Sequence, residues 1–151
     1  MMIRGDEQIP VFEDCTVGDQ LPQLHRLIDL SALVRYAGAS GDFNPIHFDE
    51  AHARAAGLDG VVGQGMLALG LVSQAVTNWL GDSGLLRSLD ARFTGSYRVG
   101  DRLTVVGEVI GRSTGAQGRI QLDLRLSCSN QAGAEIIGNA TARVVSRRGE
   151  S

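Results

Sequence analysis

A segment of 17 residues without a charged side chain constrains the fold more than any other feature of this sequence. It covers residues 64–80 and reads QGMLALGLVSQAVTNWL. The segment is shorter than the roughly 20 apolar residues that cross a bilayer, and it carries several amide and hydroxyl side chains. We predict a helix buried on most of its circumference, because apolar residues follow helical spacing: Met66, Leu69, Val72, Val76 and Trp79. Gly81 is expected to end this helix.

The second half of the chain changes from helical spacing to alternation. Between residues 119 and 129, apolar residues alternate strictly with polar ones: Ile120, Leu122, Leu124, Leu126 and Cys128. This pattern is typical of an antiparallel strand with one face on the core and the other in water. Residues 102–110 and 134–145 are similar, and residues 88–97 place Leu89, Ala91 and Phe93 inward. We predict an α+β fold in which an antiparallel sheet wraps around a long central helix.

Two short helices are predicted before the long one. Residues 29–38 have Asp29 or Ser31 as the N-cap, and residues 48–57 have Asp49. Neither helix can bury much apolar surface alone.

Composition excludes several kinds of function. All 14 basic residues are arginine, so no lysine is available for a Schiff base, a phosphate-binding P-loop or a Ser–Lys dyad. The net charge is −3 without a long run of like charges, so no nucleic-acid partner is expected. At 151 residues the chain fits a single domain, with a core predicted from about residue 11 to residue 146.

The cysteines and the first residues of the chain indicate its cellular compartment. Cys15 and Cys128 form no C-x-x-C pair, and we expect reduced thiols that pack as small apolar side chains. The first ten residues, MMIRGDEQIP, contain no apolar stretch typical of a signal peptide. We therefore expect a cytoplasmic protein that does not associate with membranes.

The residues best suited to chemistry are concentrated in SGDFNPIHFD, residues 40–49, between the two short helices. Pro45 keeps Asn44 out of the helical region, so this segment is an irregular connector, where site residues are often found. Asp42 and His47 could together hold one water molecule and exchange protons with a substrate. The same residue types also form capped turns, and spacing alone leaves both interpretations open.

The start of the long helix could supply a complementary group. Gly63 and Gly65 flank that start, where backbone N–H groups meet the positive end of the helix dipole. Such amides could stabilise an enolate oxygen. Addition of water to a double bond conjugated to a thioester needs this stabilisation besides a base and a proton donor.

No metal site or other cofactor is expected. His25 is predicted on the first strand and His52 on a short surface helix, so neither should join His47 in a ligand set. The sequence also contains no G-x-S-x-G, G-x-G-x-x-G or Walker pattern.

The segment from Tyr36 to His47, YAGASGDFNPIH, closely resembles the signature of the R-specific enoyl hydratases, the MaoC-like proteins of the hotdog superfamily. Residues 17–22 look like the opening strand of that family, and residues 90–93 resemble the strand after its central helix. Residues 65–67, GML, resemble the start of that helix. Within the family, the chain looks most like the single-hotdog (3R)-hydroxyacyl-ACP dehydratase catalytic subunits of actinobacteria.

The resemblance implies a hotdog fold that dimerises by joining two sheets edge to edge. It implies Asp42 and His47 as the pair that holds the catalytic water, with Asn44 as a supporting residue. It also implies that the Gly65 amide donates to the thioester carbonyl. Many relatives have histidine or proline where this chain has Gln64, which is expected to leave that donor intact while altering acyl-chain preference.

The expected function is that of a hydratase/dehydratase. It would interconvert trans-2-enoyl and (3R)-3-hydroxyacyl thioesters of coenzyme A or acyl carrier protein, as a homodimer or as a heterodimer with another hotdog subunit. Two alternatives share the fold: a non-catalytic subunit of a heterodimeric dehydratase, and a hotdog thioesterase. Acyl-chain length and the thioester carrier stay open.

Overall fold

The computed structural model describes residues 11–149, apart from the side chains of the last two. The strands are β1 (Leu24–Leu27), β2 (Gly84–Phe93), β3 (Arg102–Thr114), β4 (Arg119–Ser129) and β5 (Glu135–Gly149). The α-helices are α1 (Leu30–Ser40), α2 (Glu50–Ala55) and α3 (Gly65–Leu80). Short 3-10 turns cover Phe12–Asp14, Pro45–His47 and Ala116–Gly118.

The five strands form one antiparallel sheet in the order β1-β3-β4-β5-β2. The central strand is β4, and its alternation confirms the prediction. Its inward residues are at most 2% exposed: Ile120, Leu122, Leu124, Leu126 and Cys128. Inward residues of the neighbouring strands β3 and β5 extend the same apolar face: Leu103, Val105, Val109, Ala140, Ala142 and Val144.

Helix α3 packs against this face and completes the core. It begins at Gly65, with Gln64 as its N-cap, and it ends at Gly81 as predicted. Its buried side chains are Ala68, Leu71, Val72, Ala75, Val76 and Leu80. Met66 was predicted to be buried and is instead 56% exposed. Apolar residues lie all around this helix, so their spacing could not identify which side faces the sheet.

The two short helices are capped as predicted. Asp29 Oδ1 accepts a hydrogen bond from the Ala32 amide at 2.7 Å, and Asp49 Oδ1 accepts one from the His52 amide at 3.0 Å. Helix α1 continues through Ser40 and ends at Gly41, whose φ of 76° is the left-handed conformation that glycine adopts at helix ends. The conformation of Gly41 therefore fixes the direction in which the connector between α1 and α2 leaves the helix.

One strand expectation was wrong. Residues 17–22 form no strand, apart from a single bridge between Gln20 and Glu108, because Gly18 has a φ of 99° and turns the chain. Phe93 was predicted to point inward, and it is 53% exposed although it is on the side of the sheet that α3 covers. Its ring faces the start of α3, 3.1 Å from where a Cβ on Gly65 would be. Phe93 is exposed because it is the last residue of β2 and lies beside the open end of the helix.

Further expectations concern thiols and membranes. Cys15 and Cys128 are both 0% exposed, as predicted for thiols that pack as small apolar groups. Between residues 11 and 149, no helix is long and apolar enough to cross a membrane. The expectation about a signal peptide concerns residues 1–10, which lie outside the described residues, and the cytoplasmic location stays a prediction.

Candidate active site

The connector between α1 and α2 is held by a relay of local hydrogen bonds. The Ser40 hydroxyl oxygen accepts from the Asp42 amide at 3.1 Å, and Asp42 Oδ1 accepts from the Asn44 amide at 3.3 Å. Asn44 Oδ1 in turn accepts from the Ile46 amide at 3.3 Å and caps the 3-10 turn that contains His47. Each polar residue of the connector thus fixes the backbone that follows it, and Asn44 lies between Asp42 and His47 in this series. Its supporting role stays a prediction.

Asp42 and His47 face each other. The distance between His47 Nε2 and Asp42 Oδ2 is 3.4 Å. His47 is buried, whereas the side chain of Asp42 is 47% exposed. The structure therefore brings together the two residues that the sequence singled out, with the imidazole below the surface and the carboxylate open to solvent.

The second ring nitrogen of His47 fixes which nitrogen carries the proton. His47 Nδ1 lies 2.7 Å from the carbonyl oxygen of Val62, and a carbonyl can only accept, so Nδ1 donates. In the neutral imidazole, Nε2 then has a lone pair, directed toward the side where Asp42 lies. Two acceptors that face a common space can bind the two hydrogens of one water molecule.

Residues 61–64 form the wall between this pair and the central helix. The Val62 amide donates to the Ile46 carbonyl at 3.1 Å, while the Gly63 amide donates to the Tyr97 carbonyl at 2.9 Å. The Tyr97 ring occupies the space that a Cβ on Gly63 would need. Glycine is therefore the residue that lets this wall lie directly on the tyrosine.

The first residue of α3 offers a backbone donor. The N–H of Gly65 is in the first helical turn, where amides have no acceptor within the helix and the helix dipole is positive. Gly65 is exposed, and Phe93 lies beside it, with its ring 3.1 Å from where a Cβ would be. The amide that the sequence proposed as the donor to a thioester oxygen is thus at an open helix end.

The backbone and the side chain of Gln64 make different contacts. Its side chain is 1% exposed, and its Nε2 donates to the Leu33 carbonyl of α1 at 3.0 Å. Its Oε1 is buried with no hydrogen-bond partner among residues 11–149. Its carbonyl oxygen accepts from the Leu67 amide at 3.2 Å and from the Tyr97 hydroxyl at 2.6 Å.

Tyr97 is the residue of this region that the sequence did not reveal. Its side chain is 1% exposed, and burial raises the pKa of its hydroxyl far above the ordinary value, so the group remains a donor. The partner carbonyl lies 33 residues earlier in the chain, and no local spacing rule connects the two. The sequence around Tyr97, at the end of the strand predicted over residues 88–97, gives no signal of this contact.

The three histidines do not converge. His25 is on β1 with its Nδ1 3.0 Å from the Thr104 hydroxyl, and His52 is on α2, as predicted. Over the part of the chain that the structure describes, no group of three or more His, Cys, Asp or Glu side chains is placed to hold a metal ion.

Comparison with protein families matches residues 16–127 to the MaoC like domain. The beta subunit of 3-oxo-4,17-pregnadiene-20-carboxyl-CoA hydratase from Mycobacterium tuberculosis is 33% identical over 99 residues, which are 66% of this chain and 77% of that one. The (R)-specific enoyl-CoA hydratase of Rhodospirillum rubrum is 28% identical over 147 residues, 97% and 99% of the two chains. Fatty acid synthase subunit beta of Aspergillus oryzae is 45% identical over 73 residues, but the chain spans only 4% of its length.

Solved structures show the same architecture. The ChsH1-ChsH2 complex of Mycobacterium tuberculosis gives a TM-score of 0.75 at 29% identity, with 87% of this chain and 98% of that chain covered. The R-hydratase PhaJ1 of Pseudomonas aeruginosa gives 0.77 at 28% identity, with 94% and 87% covered. These likenesses confirm the predicted hotdog fold, whereas the closer resemblance to actinobacterial ACP dehydratase subunits stays a prediction. The chain belongs to the MaoC-like family of hydratases and dehydratases.

Proposed function

We propose that the protein interconverts trans-2-enoyl and (3R)-3-hydroxyacyl thioesters by adding or removing one water molecule. The observation that carries this proposal is the facing pair of Asp42 and His47, at 3.4 Å, with the Nδ1 proton of His47 held by the Val62 carbonyl. This arrangement leaves two acceptors for the hydrogens of one water. No cofactor takes part in the proposed reaction.

In the hydration direction, the water held by Asp42 and His47 attacks carbon 3 of the enoyl group. The pair takes one proton from the water as the new C–O bond forms. The electron pair of the double bond moves toward the thioester oxygen, where the Gly65 amide stabilises the negative charge. The pair then returns its proton to carbon 2, so that one water has been added and both residues are as they began. Dehydration follows the same path in reverse.

Each proposed role corresponds to a rate enhancement of known order. General acid–base catalysis by a positioned pair contributes roughly 100-fold to 10,000-fold in rate. Loss of one oxyanion donor costs roughly 100-fold to 1,000-fold. The backbone amide of Gly65 cannot be removed by side-chain substitution, so Asp42 and His47 are the residues through which the mechanism is tested.

The carrier of the acyl group is coenzyme A or acyl carrier protein in this proposal. Coenzyme A appears in the names of two relatives, and a third relative is a fatty acid synthase subunit. The buried Gln64 side chain is proposed to affect acyl-chain preference indirectly, through the packing between α1 and α3.

A second copy of this chain, or another hotdog subunit, is proposed to pair with strand β2. The sheet has two edge strands, and β2 has 10 residues whereas β1 has only 4. A long edge leaves a row of backbone donors and acceptors that another strand can satisfy. The M. tuberculosis neighbour is itself a two-component complex, which fits either a homodimer or a heterodimer for this chain.

The test is hydration of crotonyl-CoA and of longer enoyl-CoA substrates, followed by loss of the enoyl absorbance. The Asp42→Asn variant keeps the shape of the side chain and removes its charge, so we expect at least a 100-fold loss in kcat. Asp123→Asn is the matched control and should leave the rate unchanged. Asp123 lies on β4, where its carboxylate accepts a hydrogen bond from Arg143 on β5. Equal rates for the wild type and Asp42→Asn would refute the assignment.

Two further measurements separate the alternatives. Native mass of the same sample, alone and co-expressed with another hotdog subunit, gives the oligomeric state. If activity of a two-subunit complex survives His47→Gln in this chain, the chain is a non-catalytic subunit. Release of thiol from a saturated acyl-CoA would identify a thioesterase instead.

A further inference from the structure

The hydroxyl of Tyr97 and the amide of Gly65 act on the two ends of one peptide group. The carbonyl of Gln64 and the N–H of Gly65 belong to the same peptide unit, which is planar because its C–N bond has partial double-bond character. The Tyr97 hydroxyl donates to that carbonyl at 2.6 Å in a buried position. Whatever fixes the direction of the carbonyl therefore also fixes the direction of the N–H.

The same hydrogen bond changes the electron distribution of the peptide. A donor on a carbonyl oxygen withdraws electron density from the peptide nitrogen, and hydrogen bonds arranged in series strengthen one another in a low-dielectric surrounding. Since the Tyr97 hydroxyl is buried, water does not compete for this carbonyl from that side. The Gly65 N–H becomes a stronger donor as a result.

Tyr97 is itself held in place by the wall of the site. The Gly63 amide donates to the Tyr97 carbonyl at 2.9 Å, and the ring packs directly against Gly63. The neighbouring residue Arg98 forms a single antiparallel bridge with Val62. The backbone of one turn thus aligns with residues 62–63, and its tyrosine side chain reaches forward to residue 64.

We propose that Tyr97 is a positioning residue, which orients and polarises the Gln64–Gly65 peptide so that the Gly65 N–H stabilises the negative charge on the thioester oxygen. The proposal rests on the proposed function for the identity of the charge that is stabilised. The interaction between Tyr97 and the peptide does not depend on it.

The test is the Tyr97→Phe variant, which keeps the ring that packs on Gly63 and removes only the hydroxyl. We expect kcat to fall by about tenfold with KM nearly unchanged, because the weakened donor acts mainly on the charge of the transition state. We also expect the ¹⁵N resonance of the Gly65 amide to move upfield, since its nitrogen regains electron density when the carbonyl loses a donor.

The matched control is Ser146→Ala, which removes another buried hydroxyl. Ser146 Oγ accepts from the Ile120 amide at 3.0 Å, and Ser146 pairs with Gly84 beyond the C-terminal end of α3. A helix of 16 residues is about 24 Å long, so this site is far from Gly65. Ser146→Ala should lower stability without changing kcat or the Gly65 resonance.

The outcomes distinguish this proposal from the proposed function. An unchanged Gly65 resonance in Tyr97→Phe would overturn the proposal, and so would an unchanged kcat in an active enzyme. If the wild type hydrates no enoyl thioester, the proposed function fails. The Gly65 resonance then still decides whether Tyr97 acts on this peptide.

Discussion

Replacement of Gly63 by alanine tests the close contact between the wall of the site and Tyr97. Gly63 does not have a left-handed backbone, so alanine fits its conformation and should by itself stabilise the chain by about 0.5 kcal/mol. The added Cβ would, however, overlap the Tyr97 ring, where the nearest atoms are Cε2 and Cζ. We expect the overlap to dominate.

The magnitude follows from what the chain must do to accommodate one methyl group. Overpacking of a well-filled site costs about 1–3 kcal/mol, because side chains leave their preferred rotamers or the backbone shifts. Gly63→Ala should therefore lower the free energy of unfolding by about that amount. It should also lower kcat, since a shift of residues 62–64 moves the Val62 carbonyl that holds His47.

Urea denaturation at fixed protein concentration measures the effect, with Gly38→Ala as the control. Gly38 lies within α1 and no atom lies within 4 Å of its added Cβ, so alanine there should stabilise by about 0.5–1 kcal/mol. In a double-mutant cycle, Tyr97→Ala alone should cost about 3–5 kcal/mol. Adding Gly63→Ala to it should cost almost nothing more. Additive costs, or a Gly63→Ala variant as stable as Gly38→Ala, would refute the reasoning.

The remaining predictions concern the connector and the thiols. Asn44→Ala removes the cap of the turn that carries His47, so a fall in kcat together with a loss of about 1 kcal/mol in urea denaturation is expected; unchanged kinetics would show that His47 is held without it. Burial raises the pKa of both Cys15 and Cys128 to about 11, from an ordinary value of 9.0. Both thiols should therefore resist a disulfide reagent at about pH 8 until the chain unfolds, and fast labelling would contradict this. Because the thiols of the unfolded chain ionise first, stability should fall as pH rises from about 9 to about 11 and should not depend on them below about 9.

The features that could be predicted from the sequence are those with a local pattern. The central helix follows from a charge-free run at helical spacing, and β4 follows from strict alternation, with its bounds as predicted. The nearness of Asp42 and His47 could also be foreseen, because five residues of capped turn cannot carry them far apart. The hydrogen bonds that shape the connector join residues that are close together in the sequence.

The features that could not be predicted depend on contacts between distant residues. The hydroxyl of Tyr97 reaches the Gln64 carbonyl across 33 residues, and nothing near either residue indicates the pairing. Phe93 faces the start of α3 and is still exposed, because it lies at an end of both the helix and β2, and alternation within β2 does not reveal this. Burial of α3 depends on where the sheet lies around it, so the exposure of Met66 could not be read from spacing.

The backbone from Val62 to Gly65 limits the distance between the two ends of the proposed site. The Val62 carbonyl accepts from His47 Nδ1, and Gly65 is proposed to offer its amide; the three Cα–Cα steps between Val62 and Gly65 span at most about 11 Å. The first three carbons of any acyl group that uses both ends must fit within this upper limit. Selection among long, short or branched acyl chains therefore has to come from residues outside the segment 62–65. Substitutions there could change the substrate range while the reacting carbons keep their spacing.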